Sequence, residues 1–595
     1  MDKNTFTGLF LMLVIIVVSF FLMKPSEEEI KRERLLQDSI ATAQQSPAPA
    51  SPAADTSHLK TAPIDSAQLS GPFGAARQGQ DTRVSLENDL LKVQIQSLGG
   101  RIASVELKGE QTYDGKPLML LEGAENAFGL LFSTAGINVN TNTLYFKQQA
   151  ANSEQVTMRL YYDPSRYIDY IYSLEPNSYQ LKFTIQTYGM GAVVAPTQKN
   201  LTLAWDAVLG KKELDLSSEQ RYSTAYYQTQ EDGVDHLSTS KDDTEKLGKT
   251  NWISFKQHFF SNVLIAENGF DAVELAVETS ADPNEVKKFS AQLSLPFQQQ
   301  ELQQYPMSFY FGPNKFDVLK AQGHQLEEQV DLGWGPMTWI NRFITLPVFN
   351  LLEGFNWGYG VIILVLTILL KLVLSPLTYK SYVSMAKMRV LKPEMDEIKE
   401  RVGSDNQTLL QQEYMKLYKQ AGVNPMGGCI PMLLQMPFTI AFFFFFPNLF
   451  ELRGESFLWM NDLSTYDAVL TFKPIFGIGH VSLMTLLMTV ATILSTWYSN
   501  SVSGATGQMK YIGYFMPLIF LFVLNSYPSG LTYYYFLSTI FTFGLQFVIR
   551  QRINDAKIHA IIQENKKKPE SKKKSGFQKR MEDYMRQQQQ NKSKK

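Results

Sequence analysis

The sequence predicts a membrane protein of six transmembrane α-helices, an N-terminal anchor plus a five-helix core. It also predicts a large exported antiparallel β-sandwich domain and, on the opposite side of the membrane, a helical hairpin. Three observations carry this expectation. Hydrophobic residues make up 44% of the 595 residues, but the long apolar runs gather in the first two dozen residues and between about Trp357 and Ile549. Each such run approaches the roughly 20 residues a helix needs to cross the hydrocarbon core. Between them, from about Asp81 to Asn314, the periodicity is two: Leu91, Val93 and Ile95 alternate with polar residues, as do Leu181, Phe183 and Ile185, then Met307, Phe309 and Phe311. Finally, Lys and Arg concentrate in connections that the parity of six spans places on one side.

The elements follow in order. Residues 1–24 hold a nearly uncharged apolar run, 6–23, that ends Ser19-Phe20-Phe21-Leu22-Met23-Lys24; bulky side chains stand where a cleavage site needs small ones, so the segment reads as an uncleaved signal-anchor. Residues 25–80 become dominated by Ala, Pro, Ser and Gln from about 41 onward, which is too little apolar surface to offset ordering entropy, and read as a tether. Residues 81–335 are the β-domain. Residues 336–355 mix Trp339, Ile340, Phe343, Ile344, Val348 and Leu351 with Asn341, Arg342 and Asn350, a pattern for an amphipathic helix lying in the membrane surface. The second span is 356–377. Residues 378–425 read as two charged amphipathic helices, broken at 403–405, with Met385, Met388, Met395 and Met415 as flexible apolar contacts. Residues 426–549 hold the third to sixth spans, with apolar runs at 426–449, 476–497, 512–525 and 531–549; Ser526-Tyr527-Pro528-Ser529-Gly530 marks the turn between the last two. Residues 550–595 form a basic tail.

Charge gives the orientation. The formal net charge of −1 hides about 15 Lys/Arg against about 5 Asp/Glu in the tail. The connection 378–425 has about 8 Lys/Arg, whereas 451–475 has about 2. Both termini and the hairpin are therefore expected in the cytoplasm and the β-domain outside. The single cysteine, Cys429, excludes an intramolecular disulfide.

Enzyme chemistry finds little support. Gly248-Lys249-Thr250 resembles the end of a phosphate-binding loop, but Asp243 stands where that motif needs its first glycine. The six histidines include no His-Glu-x-x-His and no Cys/His cluster, so neither a metal nor another cofactor is expected; His236 and His258 are expected to be solvated or structural and not parts of a carbohydrate-processing site. The informative residue is Lys371, a charge inside the second apolar span, which by default marks a functional site facing protein or water; the alternative reading is that, near the cytoplasmic end of the span, it snorkels to phosphate headgroups. Thr367 shares its helix face at i−4. Gln435 in the third span and Tyr533 to Tyr535 in the last are further polar candidates.

The segments KSYVSMAKM (380–388), VNPMGGCIPMLLQMP (423–437), YPSGL (527–531) and YFGP (310–313) give the chain a clear resemblance, over essentially its whole length, to the YidC/Oxa1/Alb3 membrane-protein insertase family in its long Gram-negative form. The resemblance implies a non-enzymatic insertase and chaperone of the bacterial inner membrane. It implies a hydrophilic groove among the five core helices, where a positive residue of the second span draws in the acidic or polar head of a nascent membrane protein. Lys371 stands where the family commonly has arginine, keeping the charge but not the bidentate fork. By the same resemblance Thr367, Gln435, Tyr534 and Tyr535 line the groove. Met385, Lys387, Met388 and Arg389, with the hairpin and basic tail, would meet the ribosome, the signal recognition particle receptor or the Sec translocon, and the tail's charge also suits anionic lipid. A secondary transporter would show internal repeats, and none is visible.

Overall fold

The computed structural model describes residues 72–567 except 124, 135, 404–406, 424–429, 476–477 and 504–507. The expected anchor, most of the tether and the tail beyond residue 567 lie outside the described residues. Of the described residues, 72–503 and 517–567 belong to one compact unit; the other unit is described only through residues 508–516, the first half of one helix.

The β-domain is antiparallel throughout and has sheets of nine, six and four strands. In the nine-stranded sheet, β1 (Gln180–Tyr188) lies beside the long strand Leu302–Pro313, which also pairs with Phe260–Phe270. The register sets Leu181 opposite Phe309, Phe183 opposite Met307 and Ile185 opposite Tyr305. Every second residue therefore points inward, as the alternation predicts, and Leu181, Phe183 and Ile185 are fully buried. The six-stranded sheet supplies the facing layer through β2 (Asn200–Gly210), whose Trp205 lies 4.1 Å from the Phe255 ring and 5.6 Å from that of Phe309. The domain begins earlier than expected. Phe73 is buried edge-on against Phe132 and Tyr162, so the last residues of the expected tether belong to the sandwich core. Gly248 and Lys249 simply link a strand of the six-stranded sheet to one of the nine-stranded sheet.

Residues 336–353 form one helical run with a π-helical turn at Asn341–Thr345. Met337, Ile340, Leu346, Phe349 and Leu352 are buried, yet Trp339, Phe343 and Leu351 on the other face are 57%, 61% and 66% exposed. A helix apolar on both faces needs protein on one side and a nonaqueous neighbour on the other.

The apolar half is built from helices. α1 (Tyr359–Val390) runs unbroken through Pro376, because the Ser375 hydroxyl donates to the Leu372 carbonyl that the missing proline N–H leaves unpaired. Among the described residues α1 is the one helix long and apolar enough to cross a membrane, with a mean hydropathy of 2.5; Gly513–Leu524 is a shorter apolar helix. α2 (Lys392–Val402) and α3 (Gln407–Ala421) follow, with Gly403 at φ 80° supplying the left-handed residue between them. α4 (Ile430–Phe445), α5 (Leu483–Ser503), α6 (Gln508–Leu524) and α7 (Ser529–Arg552) occupy the places of the last four apolar runs. The fourth run differs from its expected position. It was expected as a helix from Phe476, but a β-hairpin, Ala468–Ile475 with Ile478–Ser482, precedes α5. Pro474, Gly477 and Gly479 disfavour a helix there.

The expected tail is also divided. Residues 555–567 are a helix, α8 (Asp555–Lys567), whose Ile558 and Ile562 are buried with Ala386, Leu391, Leu417, Ala421 and Val423. α8 thus completes a three-helix head with α2, α3 and the end of α1.

Candidate functional site

The expected groove residues come from three helices. On α1, Thr367 and Lys371 sit one turn apart; Thr367 is fully buried and donates its hydroxyl to the Ile363 carbonyl at 2.7 Å. Lys371 is 9% exposed, and its Nζ donates to Thr542 Oγ1 of α7 at 3.0 Å. The ammonium therefore points into the bundle. On α7, Tyr535 donates its hydroxyl to the Thr439 carbonyl of α4 at 3.0 Å, and Tyr534 packs its ring against Phe442 and Phe446 of α4. Gln435 is half-buried on α4, one turn before Thr439. Tyr534 and Thr542 are eight residues apart, or about 12 Å along the helix. α7 is thus the strut that touches both α1 at Lys371 and α4 at Thr439. Thr542 was not among the expected residues; nothing local in sequence relates it to a lysine 171 positions earlier.

Of the four docking candidates, Met388 packs against the apolar centre of the three-helix head, and Arg389 pairs with Asp555 of α8 at 2.5 Å. Met385 and Lys387 are half-buried beside them. Met388 and Arg389 thus help to hold the head together.

A second polar assembly joins the β-domain to the apolar half. Arg453, which follows α4, has a side chain only 7% exposed; its Nε donates to Glu213 at 2.8 Å, Nη1 to Glu110 at 2.9 Å and Nη2 to the Gln111 carbonyl at 2.7 Å. Burial pushes the Glu213 and Glu110 carboxyls up and Arg453 pulls them back. Nearby, burial raises Glu219 and lowers Lys212, while Glu219 accepts the backbone N–H groups of Lys212 and Glu213. Lys256, pushed down to about 8 by burial, donates to the Tyr222 carbonyl at 2.8 Å. His258 stacks between Tyr222 and Phe259, and its Nε2 lies 2.7 Å from the Pro447 carbonyl beyond α4.

Desolvation lowers His258 to about 3 from 6.5, so it is neutral and its Nε2–H donates to Pro447. Its folded value lies below its unfolded one. The stability it supplies is thus complete above about pH 6.5 and is lost as pH falls toward 3, at about 1.4 kcal/mol per unit. Urea unfolding at pH 7.5 and 5.5 should therefore show a steeper loss for the parent than for His258→Phe. Equal slopes would remove His258 from the account.

Comparison with known proteins places this arrangement. A family described as 60Kd inner membrane protein matches residues 350–557, and one described as YidC periplasmic domain matches residues 83–350. A protein of Parabacteroides distasonis named membrane protein insertase YidC is 40% identical over 626 residues, covering 99% of this chain and 98% of its own. One of Bacteroides fragilis with the same name is 39% identical over 610 residues, with the same coverage of both chains. A crystal structure of an active YidC insertase with its first transmembrane domain resolved is similar at 17% identity and a TM-score of 0.33, covering 78% of this chain and 92% of that one. The two family matches follow each other along the chain and the relatives cover it almost end to end, so the chain belongs to the YidC family of inner membrane proteins.

Proposed function

We propose that this chain inserts membrane proteins into the inner membrane without being an enzyme, and that Lys371 is the charge that receives the polar or acidic head of the inserting chain. One observation carries the role of Lys371. The ammonium is buried where α1 meets α7, and neither these two helices nor α4 and α5, which also pack against α1, contain an Asp or Glu. A buried charge is normally paired; one whose partner among the described residues is a single hydroxyl is held ready for a partner from outside. A polar site part-way across the bilayer spares the head a full crossing of hydrocarbon. Burial of the substrate's apolar helix in lipid, at about 25 cal/mol per Å², then drives insertion, and no nucleotide is needed.

On this reading six spans cross the membrane, the β-domain is periplasmic, and the three-helix head and both termini are cytoplasmic. The exposed Trp339, Phe343 and Leu351 lie in the periplasmic membrane surface. Thr367, Gln435, Tyr534 and Tyr535 line the path. The head and the basic tail face the ribosome, the signal recognition particle receptor, the Sec translocon and anionic lipid, since Lys- and Arg-rich segments are attracted to phosphate of either source.

The test replaces Lys371 with Ala, Glu and Arg in cells depleted of the native copy and follows a single-span substrate with an acidic exported head. Insertion should fall about ten-fold with Ala, the scale of one hydrogen bond to a charged group, fall further with Glu and persist with Arg. Unchanged insertion with Ala and Glu would refute the role.

A further inference from the structure

We propose that Thr542 is a positioning residue for Lys371: its hydroxyl oxygen holds the ammonium inside the bundle, where an acidic substrate head can reach it. The inference rests on the groove reading above and adds to it the residue that makes a lysine serviceable there.

The geometry is directional. Thr542 donates its only hydroxyl hydrogen to the Ser538 carbonyl one turn earlier, at 2.7 Å. Its oxygen is thereby fixed as an acceptor, and the Lys371 ammonium occupies it at 3.0 Å. An ammonium has three donors, so this bond leaves two for an incoming carboxylate. Lysine needs such an anchor. Its long flexible stem lets the charge leave an apolar helix for the nearest polar surface, and a point charge lacks the planar fork by which arginine fixes its own orientation. Thr367, one turn away on the same face of α1, also has its hydroxyl hydrogen committed, to Ile363, but the ammonium bonds Thr542 across the helix contact and not this neighbour on its own helix. The bond also crosses between α1 and α7, which pack along their lengths. The height of the charge in the bundle is thus set by α7 as well as by the helix that carries it.

The experiment uses the full chain in cells depleted of the native copy. Two single-span substrates are compared, one with two Asp residues in its exported head and one with Asn at the same places. The reading is the ratio of Asp-head to Asn-head insertion within each variant, so the amount of folded protein cancels. Thr542→Val, which keeps the shape and removes the acceptor, should lower that ratio about ten-fold. Thr542→Ser, which keeps the acceptor, should leave it at the parent value. If Lys371→Ala lowers the ratio and Thr542→Val does not, the groove reading stands and the role of Thr542 fails. If Thr542→Val depresses both substrates equally, the threonine is only a packing residue and the proposal is overturned. If neither Lys371→Ala nor Thr542→Val moves the ratio, the groove reading itself falls.

Discussion

Arg453→Leu should weaken the union of the β-domain with the helices more than any other single surface-loop change, by about 3–5 kcal/mol, the usual cost of deleting one partner of a buried ion pair. The reason is the number of groups that depend on one guanidinium. Its Nε, Nη1 and Nη2 are each committed, to Glu213, Glu110 and the Gln111 carbonyl, and the Phe260 ring lies 4.9 Å away. The two carboxylates do not lose equally. The Glu110 side chain is 32% exposed and can be rehydrated, whereas that of Glu213 is 12% exposed and cannot. Most of the loss is therefore assigned to Glu213.

This assignment has a pH signature. Burial already raises the Glu213 carboxyl, and Arg453 is the main opposing influence. Without the guanidinium the folded-state value rises further, so the variant regains stability as the carboxyl is protonated: its deficit relative to the parent should be larger at pH 8 than at pH 5. Arg453→Lys should fall between parent and Leu, since an ammonium cannot hold three acceptors in a planar fork. Hydrogen exchange at Gly109–Tyr113 and Arg453–Asp467 reads the junction directly. Unchanged protection in Arg453→Leu, or a deficit that grows on acidification, would refute the account.

What could be read from the residues alone divides along lines of range. The sandwich was legible because β alternation is local: Leu181, Phe183 and Ile185 announce an inward face, and all three are buried. Lys371 was legible because a charge in an apolar run is anomalous wherever it points. Its partner was not, since Thr542 lies 171 residues away and looks like any hydroxyl in an apolar helix. Arg453 was read only as one positive charge in a loop, while its acceptors lie 240 and 343 residues earlier. The β-hairpin before α5 was missed for a different reason. Its apolar content matched a membrane helix, and the breakers Pro474, Gly477 and Gly479 were outweighed by hydropathy. In the tail, net basic charge concealed a helical stripe that was present in the sequence all along.

That stripe supports the second large effect. Asp555, Ile558, Ile562, Asn565 and Lys566 fall on one face of α8. Each meets a partner in the head: Asp555 pairs with Arg389 at 2.5 Å, Asn565 donates to the Ala421 carbonyl at 3.3 Å, and Lys566 pairs with Glu394. The isoleucines fill the centre, Ile562 at 1% exposure. Ile562→Asp removes that apolar contact, which for Ile→Ala in a core costs about 2–5 kcal/mol, and adds a buried charge while the cations on this face, Lys566 and Arg389, are already paired with Glu394 and Asp555. The exposed ion pairs at the rim are worth too little to compensate. α8 should therefore detach, and trypsin should cut after Lys557 and Lys566, which the packed helix protects. Ile561→Asp is the matched control: Ile561 is 47% exposed and the same new charge there should leave the cleavage rate at the parent value. Equal cleavage of the two variants would mean that α8 does not hold the head together. The predicted difference instead makes α8 a tie between the three-helix head and α7, so the helix whose Thr542 bonds Lys371 is mechanically continuous with the part of the chain proposed to face the ribosome.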